Sequence, residues 1–246
     1  MATARALLVG LKGVDASKYG GWDGVNGCQG CELDVDNIDH ILSALNYKTV
    51  ILKTQAAKAS AVLSALKKAA ADSRKGDIFV FYYSGHGGQQ PDENGDELDG
   101  QDETLVAYNR EIIDDELNKI WPKFRAGVRI VMLSDSCNSG TNYRMVMRNA
   151  KATPIQPITD AQIAQSMVAQ LIHMGGCRDG MTSDGYLHGG AFTIALCKVW
   201  KGGGFKGGYK DFLTKIRSSI KSGQKPQYNE YGPVSAKFRK QKPFTV

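Results

Sequence analysis

Nowhere does the chain approach the run of about 18 apolar residues that a membrane-spanning helix needs, which excludes such a helix. Its amino end, MATARALLVGLKG, holds only a short apolar run, Ala6 to Leu11, that passes straight into globular sequence; it reads as a first strand, not a signal peptide. No internal repeat and no linker follow, since Gly202–Gly208 (GGGFKGG) is too short to separate domains. Residues 1–246 are therefore expected to form a single domain with no separate prodomain. Cysteine is sparse: Cys28, Cys31, Cys137, Cys177 and Cys197 are an odd set of five, which argues against a disulfide framework and for a reducing, cytoplasmic compartment. Cys28-x-x-Cys31 has the spacing of half a zinc site, but no second CxxC or His pair completes it, leaving packing or a redox pair. Also lacking is a basic motif interleaved with aromatics. From Lys198 onward twelve Lys/Arg face only Asp211 and Glu230, and this tail reads as a solvated face. Neither nucleic acid nor a membrane is expected as a partner.

What the chain has is enough apolar sequence for a core, at 42% hydrophobic and 23% charged residues. Strand-like runs at Ala6–Leu11, Thr49–Leu52, Asp77–Tyr83, Val128–Leu133 and Leu171–Met174 alternate with helical periods at Val35–Leu45, Ala57–Ala71, Asp114–Phe124 (interrupted near Pro122), Ala191–Trp200 and Tyr209–Ile220. Pro226–Tyr231 suits a last edge strand. This alternation predicts an α/β fold, a mostly parallel central sheet with helices on both faces. Charge is uneven: Asp92 to Glu116 holds eleven acidic residues and one basic one, Arg110.

In such sheets, ligands sit beyond the carboxyl ends of the strands. Two runs end suggestively, one in Tyr83-Ser84-Gly85-His86-Gly87-Gly88 and the other in Leu133-Ser134-Asp135-Ser136-Cys137-Asn138-Ser139-Gly140. If those strands are parallel, His86 and Cys137 emerge at one rim. A cysteine thiol, with an ordinary pKa of about 8.5, is a poor nucleophile until an imidazole takes its proton or stabilises its thiolate. Gly85 and Gly87 leave room for that approach. Attack on an amide creates an oxyanion, for which the backbone N–H groups of Gly87 and Cys137 are candidate donors. Taken alone, a histidine after a strand or a cysteine at a strand end is usually structural. It is the pair that points to chemistry.

The combination of Tyr83-Ser84-Gly85-His86-Gly87 with Asp135-Ser136-Cys137-Asn138-Ser139-Gly140 resembles the caspase-like cysteine peptidases, in particular the metacaspase and orthocaspase branch. Asp96–Glu103 is similar to the acidic segment that follows the histidine in that branch. Gly30–Asp34, Ile113–Leu117, Gly176–Asp179 and Gly190–Thr193 match further segments of it. Asn138 departs from the histidine that many of these proteins carry after the nucleophile.

The resemblance implies a caspase-like (caspase-hemoglobinase) fold and a thiol protease. Its expected reaction is cleavage of protein or peptide substrates after Arg or Lys, through the His86/Cys137 dyad and a thioester acyl-enzyme. Substrate-binding residues would be Asp34, Ser84 and Asp135, although a helix-N-terminal role is open for Asp34. It implies a monomer with no required cofactor. Calcium ligands would be Asp99, Asp114 and Asp115; Arg144 stands where a further aspartate is expected, and a solvated acidic loop is the competing reading. Arg144, Arg148 and Lys151 are self-cleavage candidates, in a segment whose composition suits a plain surface loop equally. A catalytically silent caspase-like scaffold or regulator is the alternative function.

Overall fold

A computed structural model describes residues 2–91, 101–136, 166–176, 188–221 and 226–246. Its main sheet contains β1 (Ala4–Gly10), β2 (Lys48–Lys53), β3 (Ile78–Ser84), β7 (Arg129–Asp135), β8 (Gln170–Gly176) and β9 (Gln227–Tyr231). They lie in the order β2-β1-β3-β7-β8-β9, all parallel except β9, which pairs antiparallel with β8 at the edge. Every residue of β3, IFVFYYS, is buried. A strand apolar on both sides demands cover on both faces, and the helices supply it.

One face packs Val80, Tyr82, Val131 and Leu133 against α1 (Cys31–Ser43), α4 (Ala191–Trp200) and α5 (Tyr209–Ser219). Helix α1 turns Val35, Ile38, Ile41 and Leu42 inward, the spacing of one helical stripe. The opposite face packs Phe79, Phe81, Ile130 and Met132 against α2 (Ala59–Asp72) and the single turn at Trp121–Lys123. Phe79 stacks on Phe124 with ring centroids 5.4 Å apart.

The structure departs from expectation chiefly in the acidic stretch. Its described part is not a solvated loop. Strands β4 (Gly87–Pro91), β5 (Gln101–Val106) and β6 (Glu111–Ile113) form a separate antiparallel sheet. Asp102, Glu103 and Glu111 are buried. Glu111 accepts hydrogen bonds from Gln90 Nε2 at 2.6 Å and Thr104 Oγ1 at 3.2 Å, which offsets its loss of water. The helix expected over Asp114–Phe124 is only α3 (Asp114–Asn118), followed by the turn at Trp121–Lys123, because Pro122 has no N–H to continue the ladder. An unanticipated short helix, α6 (Ala236–Lys240), is capped by Ser235, whose hydroxyl accepts the Phe238 N–H at 3.2 Å. Among the described residues, no helix is long and apolar enough to cross a membrane.

Candidate active site

Strands β3 and β7 are hydrogen-bonded neighbours in a register that places Ser84 opposite Asp135. Both chains therefore leave the sheet at the same carboxyl rim. His86 lies two residues beyond Ser84; Asp135 and Ser136 are the last described residues before Cys137. The nucleophile candidate Cys137, the calcium-ligand candidate Asp99 and the self-cleavage candidates Arg144, Arg148 and Lys151 lie outside the described residues.

His86 is held from several sides. Its ring packs on Trp22 with centroids 4.9 Å apart, and Nε2 lies 3.0 Å from the carbonyl oxygen of Gly24. A carbonyl can only accept, so this contact selects the tautomer with the proton on Nε2 and makes Nδ1 the proton-accepting nitrogen. The His86 carbonyl accepts the Tyr83 hydroxyl at 2.7 Å and the Val106 N–H at 3.1 Å. A side chain at Gly85 would collide with the Tyr83 ring, so this turn needs glycine. Because His86 accepts from Val106, the next pair, Gly87 and Leu105, occupies the non-hydrogen-bonded position of the β4–β5 ladder. The Gly87 N–H thus points away from β5 and is not used by the ladder.

Beneath the rim lie two carboxylates, both 0% exposed: Asp34, in the first turn of α1, and Asp135, at the end of β7. Asp34 accepts Ser84 Oγ at 2.7 Å and the Gly190 N–H at 2.9 and 3.0 Å to its two oxygens. Asp135 Oδ2 accepts the Thr193 N–H at 3.0 Å and Thr193 Oγ1 at 2.7 Å. Since that hydroxyl donates to Asp135, it must accept from Tyr82, whose hydroxyl is 2.6 Å away. Both acids thus meet the amino end of α4, where N–H groups and the helix dipole favour negative charge. A Cβ at Gly190 would overlap Asp135 Oδ2, and one at Gly189 would overlap Asp34 Oδ1, so only glycine allows this close approach. Asp34, Ser84 and Asp135 come together. Thr193, Gly190 and Tyr82 were not anticipated as their supports. The Gly-Ala-Phe-Thr run at 190–193 carried that signal, as a helix start with a hydroxyl on its first turn.

The remaining candidates sit apart. Asp114 is buried in the first turn of α3, with Oδ1 accepting the Asp115 N–H at 3.0 Å. Asp115 pairs with Lys119 at 3.4 Å. Among the described residues, no three His, Cys, Asp or Glu side chains gather as a metal site. Cys28 and Cys31 are both buried. Burial, and after it the Asp34 carboxylate, pushes the Cys197 thiol up to about 11, so it is a poor nucleophile.

A buried histidine unconnected with this chemistry makes a measurable prediction. His173 on β8 is fully buried; its Nε2 contacts Ser134 Oγ at 3.0 Å and its Nδ1 has no hydrogen-bond partner. Burial pushes its pKa down from 6.5 to about 3. The unfolded chain therefore binds a proton that the folded chain refuses across that window, and stability falls as pH drops through it. Between pH 7 and pH 5, above the carboxylate range, urea unfolding should lose up to about 1.4 kcal/mol per pH unit from this group. His173→Leu should flatten the profile; an unchanged slope in the variant would refute the assignment.

The chain matches the caspase domain model over residues 4–243. Metacaspase-1 of Schizosaccharomyces pombe is 36% identical over 151 residues, 55% of this chain and 34% of that protein. Metacaspase-3 of Arabidopsis thaliana is 49% identical over 74 residues, 28% of this chain and 20% of that protein. The match thus spans only about 34% and 20% of the length of these curated relatives. A crystal structure of a Geobacter sulfurreducens protein superimposes with a TM-score of 0.82 at 36% identity, covering 99% of both chains. Caspase-1 from Spodoptera frugiperda shares the fold at a TM-score of 0.60 and 14% identity, over 94% of this chain and 86% of that one. The chain belongs to the caspase domain family of cysteine peptidases, and its curated relatives are metacaspases.

Proposed function

We propose that the chain is a monomeric cysteine endopeptidase that cleaves protein or peptide substrates after Arg or Lys. The observation carrying this reading is the pair of fully buried carboxylates, Asp34 and Asp135, beside the rim that bears His86. A buried pair of negative charges calls for a cation, and an arginine side chain can meet carboxylates in bidentate fashion.

In the reaction, His86 Nδ1 takes the Cys137 proton and the thiolate attacks the scissile carbonyl carbon. The resulting oxyanion is held by the N–H groups of Gly87 and Cys137. Collapse breaks the C–N bond while imidazolium returns the proton to the leaving amine, forming a thioester. Water, deprotonated by His86, then attacks the thioester and releases the acid and the thiol. None of these steps requires calcium. If calcium acts, Asp114 and Asp115 would join Asp99 in holding it, supplying fixed positive charge near the acidic segment.

The test is hydrolysis of arginyl, lysyl and aspartyl reporter peptides, with and without a strong chelator. The first two should be cut far faster than the third. Preference for aspartate would overturn the specificity, and no hydrolysis of any reporter would favour the silent scaffold. Activity undiminished by the chelator would remove calcium.

A further inference from the structure

At the far end of α4 lies a second concavity. It is a half-open hollow of about 450 Å³ between the carboxyl end of α4, the 201–206 turn and α5. Lys198, Lys201, Lys206 and Lys215 line it, with Phe205 and Ser218 among the other lining residues and no acidic side chain. Ten residues of α4 separate it from the Asp34/Asp135 end, or about 15 Å along the axis.

The described lysines divide into those that face a carboxylate and those that do not. Lys12, Lys53, Lys68, Lys119 and Lys210 each lie within 4.0 Å of a carboxylate. Among the described residues, none of the four around the cavity has an ion pair; Lys215 instead sits 5.6 Å from the Phe205 ring centroid. Asp211, on the same helix as Lys215, directs Oδ2 to the Gly208 N–H at 3.2 Å. Lys242 points its ammonium at the Gly203 carbonyl.

The backbone is unusual at the same place. Lys201 has φ +52°, and Gly202 and Gly203 follow at +59° and +91°. A left-handed residue at a helix end is ordinarily glycine or asparagine, because a Cβ is disfavoured there. Here lysine occupies the position, and its side chain lines the cavity. Lys198 and Lys201 also complement the carboxyl end of the α4 dipole, but that account does not extend to Lys206 on the turn or Lys215 on α5.

We infer that this cavity binds a small polyphosphate. Four like charges around one hollow repel one another, and a compact multivalent anion relieves that repulsion. The volume falls within the range of small-molecule sites, roughly 300–1,000 Å³, rather than that of a macromolecular interface. Lysine ammoniums are point charges suited to tetrahedral phosphate, whereas planar carboxylates are better served by the guanidinium forks absent from this lining. The inference does not depend on the peptidase reading.

Calorimetric titration of the full chain with sodium tripolyphosphate tests it. Saturable binding of one tripolyphosphate per chain is expected, weakening with salt and weakened by about tenfold or more in a Lys206→Gln, Lys215→Gln double variant. That variant should at least keep the parent thermal midpoint without ligand, since it removes two of the mutually repelling charges. If it does not, Lys198→Gln with Lys206→Gln replaces it. Absence of saturable binding, undiminished affinity in the variant, or equal binding of sulfate at matched ionic strength would overturn the site. Tighter binding of a single-stranded oligonucleotide would also overturn it, in favour of a nucleic-acid surface.

Discussion

Replacing Cys137 with alanine should slow hydrolysis of an arginyl reporter by about 10⁶-fold, the size of loss found when the nucleophile is removed from a covalent peptidase. The sulfur would form the bond that defines the intermediate, and among the described residues no other cysteine is placed to substitute: Cys28 and Cys31 are buried, and burial pushes the Cys197 thiol up to about 11. His86→Ala should fall in the same range. The double variant should be scarcely slower than either single one, since a base without its nucleophile has no proton to take. Multiplicative losses would mean that the two residues act separately, and the dyad would have to be abandoned. Intact mass after prolonged incubation addresses self-processing at Arg144, Arg148 or Lys151. The parent should lose mass by clipping and the Cys137→Ala chain should not; identical unclipped masses would end that part of the proposal.

The second large effect is expected at the pocket. Asp135→Asn conserves shape, and its amide oxygen can still accept both Thr193 hydrogen bonds, so the fold should persist. What disappears is a buried negative charge. Truncating one partner of such a pair costs about 2–5 kcal/mol, or about 30- to 5,000-fold in kcat/KM for an arginyl substrate, felt mainly in KM. Asp34→Asn is the less clean variant, because both Asp34 oxygens accept, from Ser84 and Gly190, and an amide nitrogen cannot. Turnover of a neutral reporter should change little, a split that general loss of structure would not produce. Unchanged arginyl kcat/KM in Asp135→Asn would remove that residue from specificity.

Strands buried on both faces announced themselves. Runs such as 78–84 are apolar throughout, and their alternation with helical periods was sufficient to infer the main sheet. The β4–β6 sheet escaped notice because QDETLV and GGQQP lack alternating apolar residues; hydrogen bonds among Gln90, Thr104 and Glu111 stabilise it instead. Asp34, Ser84 and Asp135 were recognised through family resemblance rather than periodicity, since no local pattern reveals that residues 34 and 190 touch. Thr193 read as part of a helix and of a segment matching the family, with no sign that it would hold Asp135. His173, within the apolar run LIHM, gave no hint of Ser134 beside it, as that contact crosses two strands.

The pairing of Ser84 with Asp135 has one more consequence. Side chains alternate along a strand, so inserting or deleting one residue late in β3 or β7 would reverse which face each terminal group addresses. Such an edit would misplace the acid proposed to line the pocket and the proposed reacting group two residues onward in the same stroke. Substrate preference in this architecture should therefore diversify through the turn at 188–193 and the start of α1, while both strand termini keep constant length.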